Sequence, residues 1–297
     1  MGNQKKKNGM FFFVLAMTLL FTTVAQAEIK IGVLAKRGPE KAMSQWGPTG
    51  AYLSAKLGEP VTIIPLKFTA IEPLVKSGGI DFMLANSAFY VEMEKKYGAH
   101  SVATLINSRN GKALDTFGGV ILVRKDSPIQ TLADIKGKKF MCVKFSSFGG
   151  AHMAQRLFLD NGIDAKKDFA AFVEGSKHDN VVLAVQNGSM DAGTVRTDTL
   201  ERMEGEGKIS MADFRIINEQ KDDFPFVRST RLYPEWPMAA LKHFDAAKAK
   251  AVGAALKAMS SSDEAAKSAK IVGWKDSADY TSVRDCLKAI KFGAFAD

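Results

Sequence analysis

Residues 74–82 read LVKSGGIDF, and residues 184–192 read AVQNGSMDA. In each stretch a helix-like segment stops at a glycine, an aspartate follows, and an apolar run begins. Glycine just past the last periodic residue is the usual signal of a helix C-terminus. The two stretches stand 110 residues apart. The same offset lays Ile31–Leu34 on Met141–Lys144 and Lys36-Arg37 on Ser146-Ser147. Two matches in register predict two related lobes with the same order of elements.

Working outward, strand-like segments alternate with helical ones. Strands are predicted at Glu28–Leu34, Val61–Pro65, Ile80–Leu84, Phe117–Arg124, Phe140–Lys144 and Met190–Val195. Helices are predicted at Ser44–Leu57, Ile71–Lys76, from about Gly150 to Asn161-Gly162, and at Asn180–Gln186. Thr131-Leu132-Ala133-Asp134 reads as a capping box that opens a short helix ending at Gly137. Asp245–Lys291 is rich in Ala and Lys and reads as mostly helical. The pattern is that of an α/β chain with two lobes, each a mostly parallel sheet flanked by helices. The reading assigns 28–124 and 216–297 to lobe 1 and 125–215 to lobe 2.

The N-terminus sets the compartment. Lys5, Lys6 and Lys7 precede an apolar run from Met10 to Phe21, and Ala25-Gln26-Ala27 is an A-x-A cleavage signal. Residues 1–27 are therefore expected to be a secretory signal peptide cleaved after Ala27, leaving a periplasmic chain. The apolar run is short for a membrane span, and no Cys stands at the cleavage site to carry a lipid. Cleavage removes three lysines and lowers the formal charge from +9 to +6. That mild basicity suits an anionic ligand or simple solubility, and no basic run interleaved with aromatics suggests nucleic acid. Cys142 and Cys286 are the only cysteines. An oxidising compartment permits a bridge between them, and Cys142 equally suits an apolar core.

In open α/β sheets ligands sit beyond the carboxyl ends of the strands. The repeat gives four such ends: Lys36-Arg37, Asn86-Ser87, Ser146-Ser147 and Arg196-Thr197. All are polar or basic, and two facing lobes would bring them into one cleft. Ser146 and Ser147, followed by Gly149 and Gly150 at a strand-to-helix junction, offer hydroxyls and backbone N–H groups to an anion; an ordinary cap and turn is the competing reading. Arg196 can clamp an oxyanion through two N–H groups or pair with Asp198 or Glu201 at the surface. His178 either donates to a ligand or caps the helix that follows it. Thr197, Ser87 and Asn86 read as ligand contacts or as caps. Lys36 and Arg37 read as anion-steering cations, and Trp46 and Tyr90 as cleft wall or core.

Catalytic signatures are missing from the sequence. There is no G-x-S-x-G elbow, and His100, His152, His178 and His243 have no HExxH or CxxC spacing around them. No Walker or GxGxxG loop occurs. The reading expects no metal, no cofactor and no turnover, with an enzyme built around His178 as the alternative.

Several stretches together resemble a known family. Lys125–Lys139 (KDSPIQTLADIKGKK), Trp46, Asp81–Asn86 (DFMLAN), Phe145–Gly150 (FSSFGG), His178-Asp179-Asn180 and Met190-Asp191-Ala192 resemble type II periplasmic binding proteins of the phosphonate-binding, PhnD-like branch. Gly193–Thr197 (GTVRT) and Leu232–Pro237 (LYPEWP) are most similar to sensor domains that serve histidine kinases. The resemblance covers nearly all of the chain after residue 27. It implies a Venus-flytrap fold closing on a small oxyanion, with Ser146, Ser147 and His178 at the family's ligand-binding positions. Phe148 stands where the family often has a third hydroxyl, and Ala85 where phosphonate binders place Tyr. It implies capture of a phosphonate- or phosphate-like anion for an ABC permease. The alternative is presentation of a sulfur or phosphorus oxyanion signal to a histidine kinase on a separate polypeptide.

Overall fold

A computed structural model of the chain describes residues 1–2, 28–109 and 111–296. Residues 3–27, most of the expected signal peptide, lie outside them. Two sheets carry the fold. The first contains β1 (Ile29–Leu34), β2 (Val61–Leu66), β3 (Phe82–Leu84), β4 (His100–Arg109) and β5 (Lys112–Leu114). A short β6 (Thr116–Phe117) leads into the second sheet, formed by β7 (Gly119–Arg124), β8 (Lys139–Cys142), β9 (Ala171–Glu174), β10 (Ala192–Arg196) and β11 (Phe214–Ile217). The chain returns through β12 (Tyr233–Pro234), which pairs with β6, and completes the first sheet with β13 (Pro237–Ala240) and β14 (Ile271–Lys275).

The repeat predicted from the two helix–Gly–Asp stretches is visible in the strand orders. The first sheet runs β14-β4-β13-β3-β1-β2 and the second β11-β7-β10-β8-β9. In each, a central strand lies parallel between two others, β1 between β2 and β3, β8 between β9 and β10. An antiparallel strand then follows, β13 beside β3 and β7 beside β10. The two aspartates do the same work. Lys30 N–H donates to the Asp81 carboxylate and Lys139 N–H to that of Asp191, both at 2.8 Å, while Asp81 and Asp191 N–H donate back to the Lys30 and Lys139 carbonyls. Lys30 and Lys139 stand 109 apart, one less than the two aspartates. The strand-end equivalences therefore shift by one, and Lys36 corresponds to Phe145 rather than Ser146.

The second sheet is buried on both faces, which explains its near-continuous apolar runs. On β7, Ile121 and Val123 pack under the helix Met153–Asp160, while Val120 and Leu122 face Val181, Val185, Leu200 and Met203 on the helices His178–Gln186 and Thr199–Gly205. The first sheet is covered by the helices Pro39–Leu57, Ser87–Tyr97, Ala246–Lys257 and Thr281–Ala289. Among the described residues no helix is long and apolar enough to cross a membrane.

Three sequence expectations change. The first lobe was expected to run to residue 124, but Gly119–Arg124 hydrogen-bonds within the second sheet between β10 and β11, so the outgoing crossover lies at β6. The restart at 216 likewise cuts through β11, and the return crossover is β12. The C-terminal part is not only helical: Ile271–Lys275 adds β14 to the sheet edge, a short apolar strand hidden between Ala/Lys-rich helices. At Thr131–Asp134 the Asp134 carboxylate accepts from Gln130 N–H, Thr131 N–H and the Thr131 hydroxyl, but only a single 3₁₀ turn, Ala133–Ile135, follows.

Matched aspartates should cost matched amounts. Asp81→Ala and Asp191→Ala each leave a strand N–H without its carboxylate, a loss of about 1–2 kcal/mol. Urea unfolding should show a loss of this size in both variants, with Asp81→Ala also losing the contact of His243 Nε2 at 3.2 Å, and a loss confined to one would contradict the shared role.

Candidate functional site

Between the two sheets lies a cavity of about 460 Å³, counting the space open to solvent. Its position follows from the topology, because the C-terminal ends of β1, β4 and β10 converge on it. After β1 the chain turns at Gly38, whose φ of 102° suits only glycine, into a helix that begins with Pro39. That turn places Lys36, Arg37, Lys41, Gln45 and Trp46 on the cavity wall. β4 contributes Leu105, Asn107 and Arg109, β10 ends on Arg196, and the return crossover supplies Glu235 and Trp236.

Arg196 organises the centre. One of its guanidinium nitrogens, Nη2, donates to Glu235 Oε1 at 2.8 Å, and its Nε stands 3.5 Å from Asp198. Asp198 also accepts from Arg109, so residues from both sheets and the crossover form one ion network. The Arg196 guanidinium lies 4.4 Å above the Phe117 ring. Burial would raise the Asp198 carboxyl, but Arg196, Arg109 and Lys36 outweigh it and hold it below the usual range. Glu235 is completely buried; its backbone carbonyl accepts from the Tyr280 hydroxyl at 2.9 Å, and the Ser87 hydroxyl holds the adjacent Pro234 carbonyl at 2.8 Å.

Lys36 is the cation left over. Its ammonium stands 5.0 Å over the Trp236 ring and makes no ion pair or hydrogen bond among the described residues. Desolvation, then the positive charges of Arg196 and Arg109, bring its pKa down to about 7. His178 opens the helix His178–Gln186, and its Nδ1 accepts from the Arg196 backbone N–H at 3.3 Å. Burial and the neighbouring Lys36 and Arg196 push it down to about 3, so it is a neutral ring that positions the β10 end.

Of the residues expected from sequence, Arg37 and Arg196 line the cavity, as do Lys36 and Trp46. The surface ion pair considered for Arg196 is instead a buried one, with Glu235 as its main partner. The others stand outside the lining. Ser87 is engaged with the crossover carbonyls. Thr197 is fully buried and accepts from Gly118 N–H. Asn86 caps the helix Ser87–Tyr97 through its carbonyl, while its amide reaches the Ser146 carbonyl at 3.5 Å and so links the two lobes. Tyr90 is core, its hydroxyl on Glu94 and its ring against Tyr280.

The serine junction differs from a simple capped helix. Ser147 makes no side-chain cap; a π turn, Phe148–His152, precedes the helix Met153–Asp160. Gly150 is required by packing, since a Cβ there would stand 2.5 Å from Val143 Cγ2. At Gly149 it would meet Arg196 Cβ and the Phe117 ring at 2.9 Å. Phe148 is fully buried and sits edge-on to Tyr233 and Phe117 of the crossover ribbon. Cys142 and Cys286 are both buried and unbridged, with burial pushing each thiol up to about 12.

Sequence reasoning missed Asn107, Arg109 and Glu235. Glu235 had no local signal beyond its place between two prolines. Arg109 could have been found as a basic residue ending the apolar run of β4.

Over residues 31–283 the chain matches the family model described as the periplasmic substrate-binding protein of phosphonate ABC transporters. The tetrathionate sensor histidine kinase TtrS of Salmonella typhimurium is 33% identical over 213 residues, which is 71% of this chain and 36% of that relative. The chain thus spans about a third of that relative's length. Among solved structures, a binding protein component of an ABC phosphonate transporter from Pseudomonas aeruginosa is 17% identical with a TM-score of 0.69, over 90% of this chain and 86% of that one. PhnD1 from Prochlorococcus marinus, solved with methylphosphonate, is 15% identical with a TM-score of 0.70, over 88% and 97%.

His152 gives an acid-stability prediction. It is fully buried, its Nε2 on the Phe145 carbonyl, and burial pushes its pKa down to about 4. The unfolded state then binds the proton more readily, so stability is lost as pH falls below about 6.5. Between pH 7 and pH 5 this single ring should cost about 2 kcal/mol. Urea unfolding at both values should show a smaller pH difference in His152→Gln than in the parent.

Proposed function

Because the chain belongs to the family of periplasmic substrate-binding proteins of phosphonate ABC transporters, we propose that it captures a small oxyanion in the interlobe cavity and presents the closed form to a membrane partner. The convergence of Lys36, Arg109 and Arg196 on one cavity, against only Asp198 and Glu235, is the observation that carries this reading. Arg37 and Lys41 add exposed cations to the same wall, while Leu34, Leu105, Trp46 and Trp236 supply apolar surface. Closure is a population shift driven by contacts that exist only when both lobes meet the anion. Ser146 and Ser147, which are not among the residues lining the cavity, are proposed to add hydroxyl contacts to the bound ion. Residues 1–27 direct export and are cleaved after Ala27, and the site binds without turnover.

The family supports an ABC permease as partner. A second reading has a specific support, the 33% identity to a tetrathionate sensor kinase. In that reading the chain is the periplasmic sensing part of a two-component system, and its ligand is a sulfur oxyanion. The cavity's cations and apolar walls suit an ion with a polarisable centre and charged ends.

The test is thermal unfolding of periplasmically purified protein against methylphosphonate, phosphate, sulfate and tetrathionate at constant ionic strength. A bound ion at about 100 times its dissociation constant should add about 2.7 kcal/mol. Arg196→Lys, which keeps the charge but loses the planar fork, should weaken the hit about tenfold or more, and Ser147→Ala should weaken it less. N-terminal sequencing should begin at Glu28. A flat panel would overturn the oxyanion reading.

A further inference from the structure

Among the described residues, every charge at the centre of the cleft has a partner except one. Arg109 and Arg196 are neutralised by Asp198 and Glu235, and both carboxylates are engaged by these guanidiniums. Lys36, on the β1 side, faces the same cavity with only the Trp236 ring beneath it. An ammonium held partly out of water beside two guanidiniums, with no carboxylate within ion-pair distance among the described residues, is the easiest charge in the site to lose. A bound anion reverses that balance, since it supplies the missing partner.

We propose that Lys36 is the titrating charge of the cleft, gaining a proton as an anion seats beside it, so that ligand capture and proton uptake are a single linked event. This rests on the oxyanion reading above. The groups that face Lys36 are Arg37 on its own turn, Lys41 on the following helix, Arg109 from β4, Arg196 and Asp198 from the end of β10, Glu235 from the return crossover, and His178 behind Arg196. The arginines stay charged at any working pH, Asp198 is held ionised by its arginines, and His178 stays neutral until strongly acid pH. With Lys36 near 7 in the empty cleft, capture should be strongest and pH-independent below that value. Above it, affinity should fall about tenfold per pH unit, because each binding event must first place a proton on the amine.

The experiment uses the full periplasmic protein labelled with ¹³C-lysine, with Lys36 assigned by its disappearance in Lys36→Arg. The side-chain carbon shift of Lys36 is followed with pH, alone and with saturating tetrathionate or methylphosphonate. Calorimetry with tetrathionate, which has no proton of its own to exchange near neutral pH, at pH 8 in two buffers of different ionisation enthalpy then counts protons. The expected result is a midpoint near 7 in the free protein, an upward move of two units or more with the anion, and uptake close to one proton per ion. Lys36→Arg should bind with no proton uptake and a flat pH profile. A free-protein midpoint among the surface lysines near 10 overturns the proposal. So does a midpoint unmoved by an anion that does raise the melting temperature. If neither anion raises the melting temperature at pH 6, the oxyanion reading falls, and the proton-linked capture built on it falls with it.

Discussion

A buried guanidinium must have its charge answered, and in this molecule that requirement ties the two sheets together. Arg196 comes from the second sheet, Arg109 from the first, and Glu235 from the return crossover, and they meet around Asp198. Removing one member would strand a charge in a poorly solvated place, at a cost of about 3–5 kcal/mol. The network therefore fixes how the strand ends sit relative to one another. Much of the surrounding structure serves it. Tyr280 and Ser87 hold the crossover backbone on either side of Glu235, His178 holds the Arg196 backbone, and Gly149 lets the π turn approach the Arg196 side chain.

The repeat shows which part of this was legible in the sequence. A helix stop, an aspartate and a strand form a local unit, because the aspartate closes on the N–H of the neighbouring central strand. Local units leave local signals, so the two-sheet α/β architecture and most of its parallel strands could be read directly. The misreadings share a cause. β4, β7 and β14 are antiparallel additions whose membership depends on partners far along the chain. An apolar run such as Gly119–Arg124 states that it will be buried but not in which sheet.

The site divides along the same line. Arg196, Arg37 and Trp46 could be placed on the cavity wall from sequence because they stand at strand ends or on the first helix, where the topology gathers side chains. Ser87, Thr197 and Asn86 stand at equivalent ends, yet their polar groups are consumed by capping and by the crossover. Sequence alone cannot separate these cases, since a hydroxyl that caps and one that binds look alike. Glu235 and Arg109 were invisible for the opposite reason. Each gains meaning only from a partner more than thirty residues away.

The charge balance of the cavity also limits what it can hold. Two carboxylates already answer two guanidiniums, so among the described residues the centre of the cleft offers one uncompensated positive charge, that of Lys36. A singly charged ion could be satisfied there. An ion with two charges must reach the exposed Arg37 and Lys41 or draw a guanidinium away from its internal carboxylate. The second route would loosen the network that holds the sheets in register, and the first would not. An elongated dianion that spanned from Lys36 to the exposed cations would therefore leave that network intact, whereas a compact dianion at the centre would compete with Glu235 and Asp198 for the same donors. In the proposed capture, the internal carboxylates would act as a filter on shape as well as charge, set by residues that need not touch the ion.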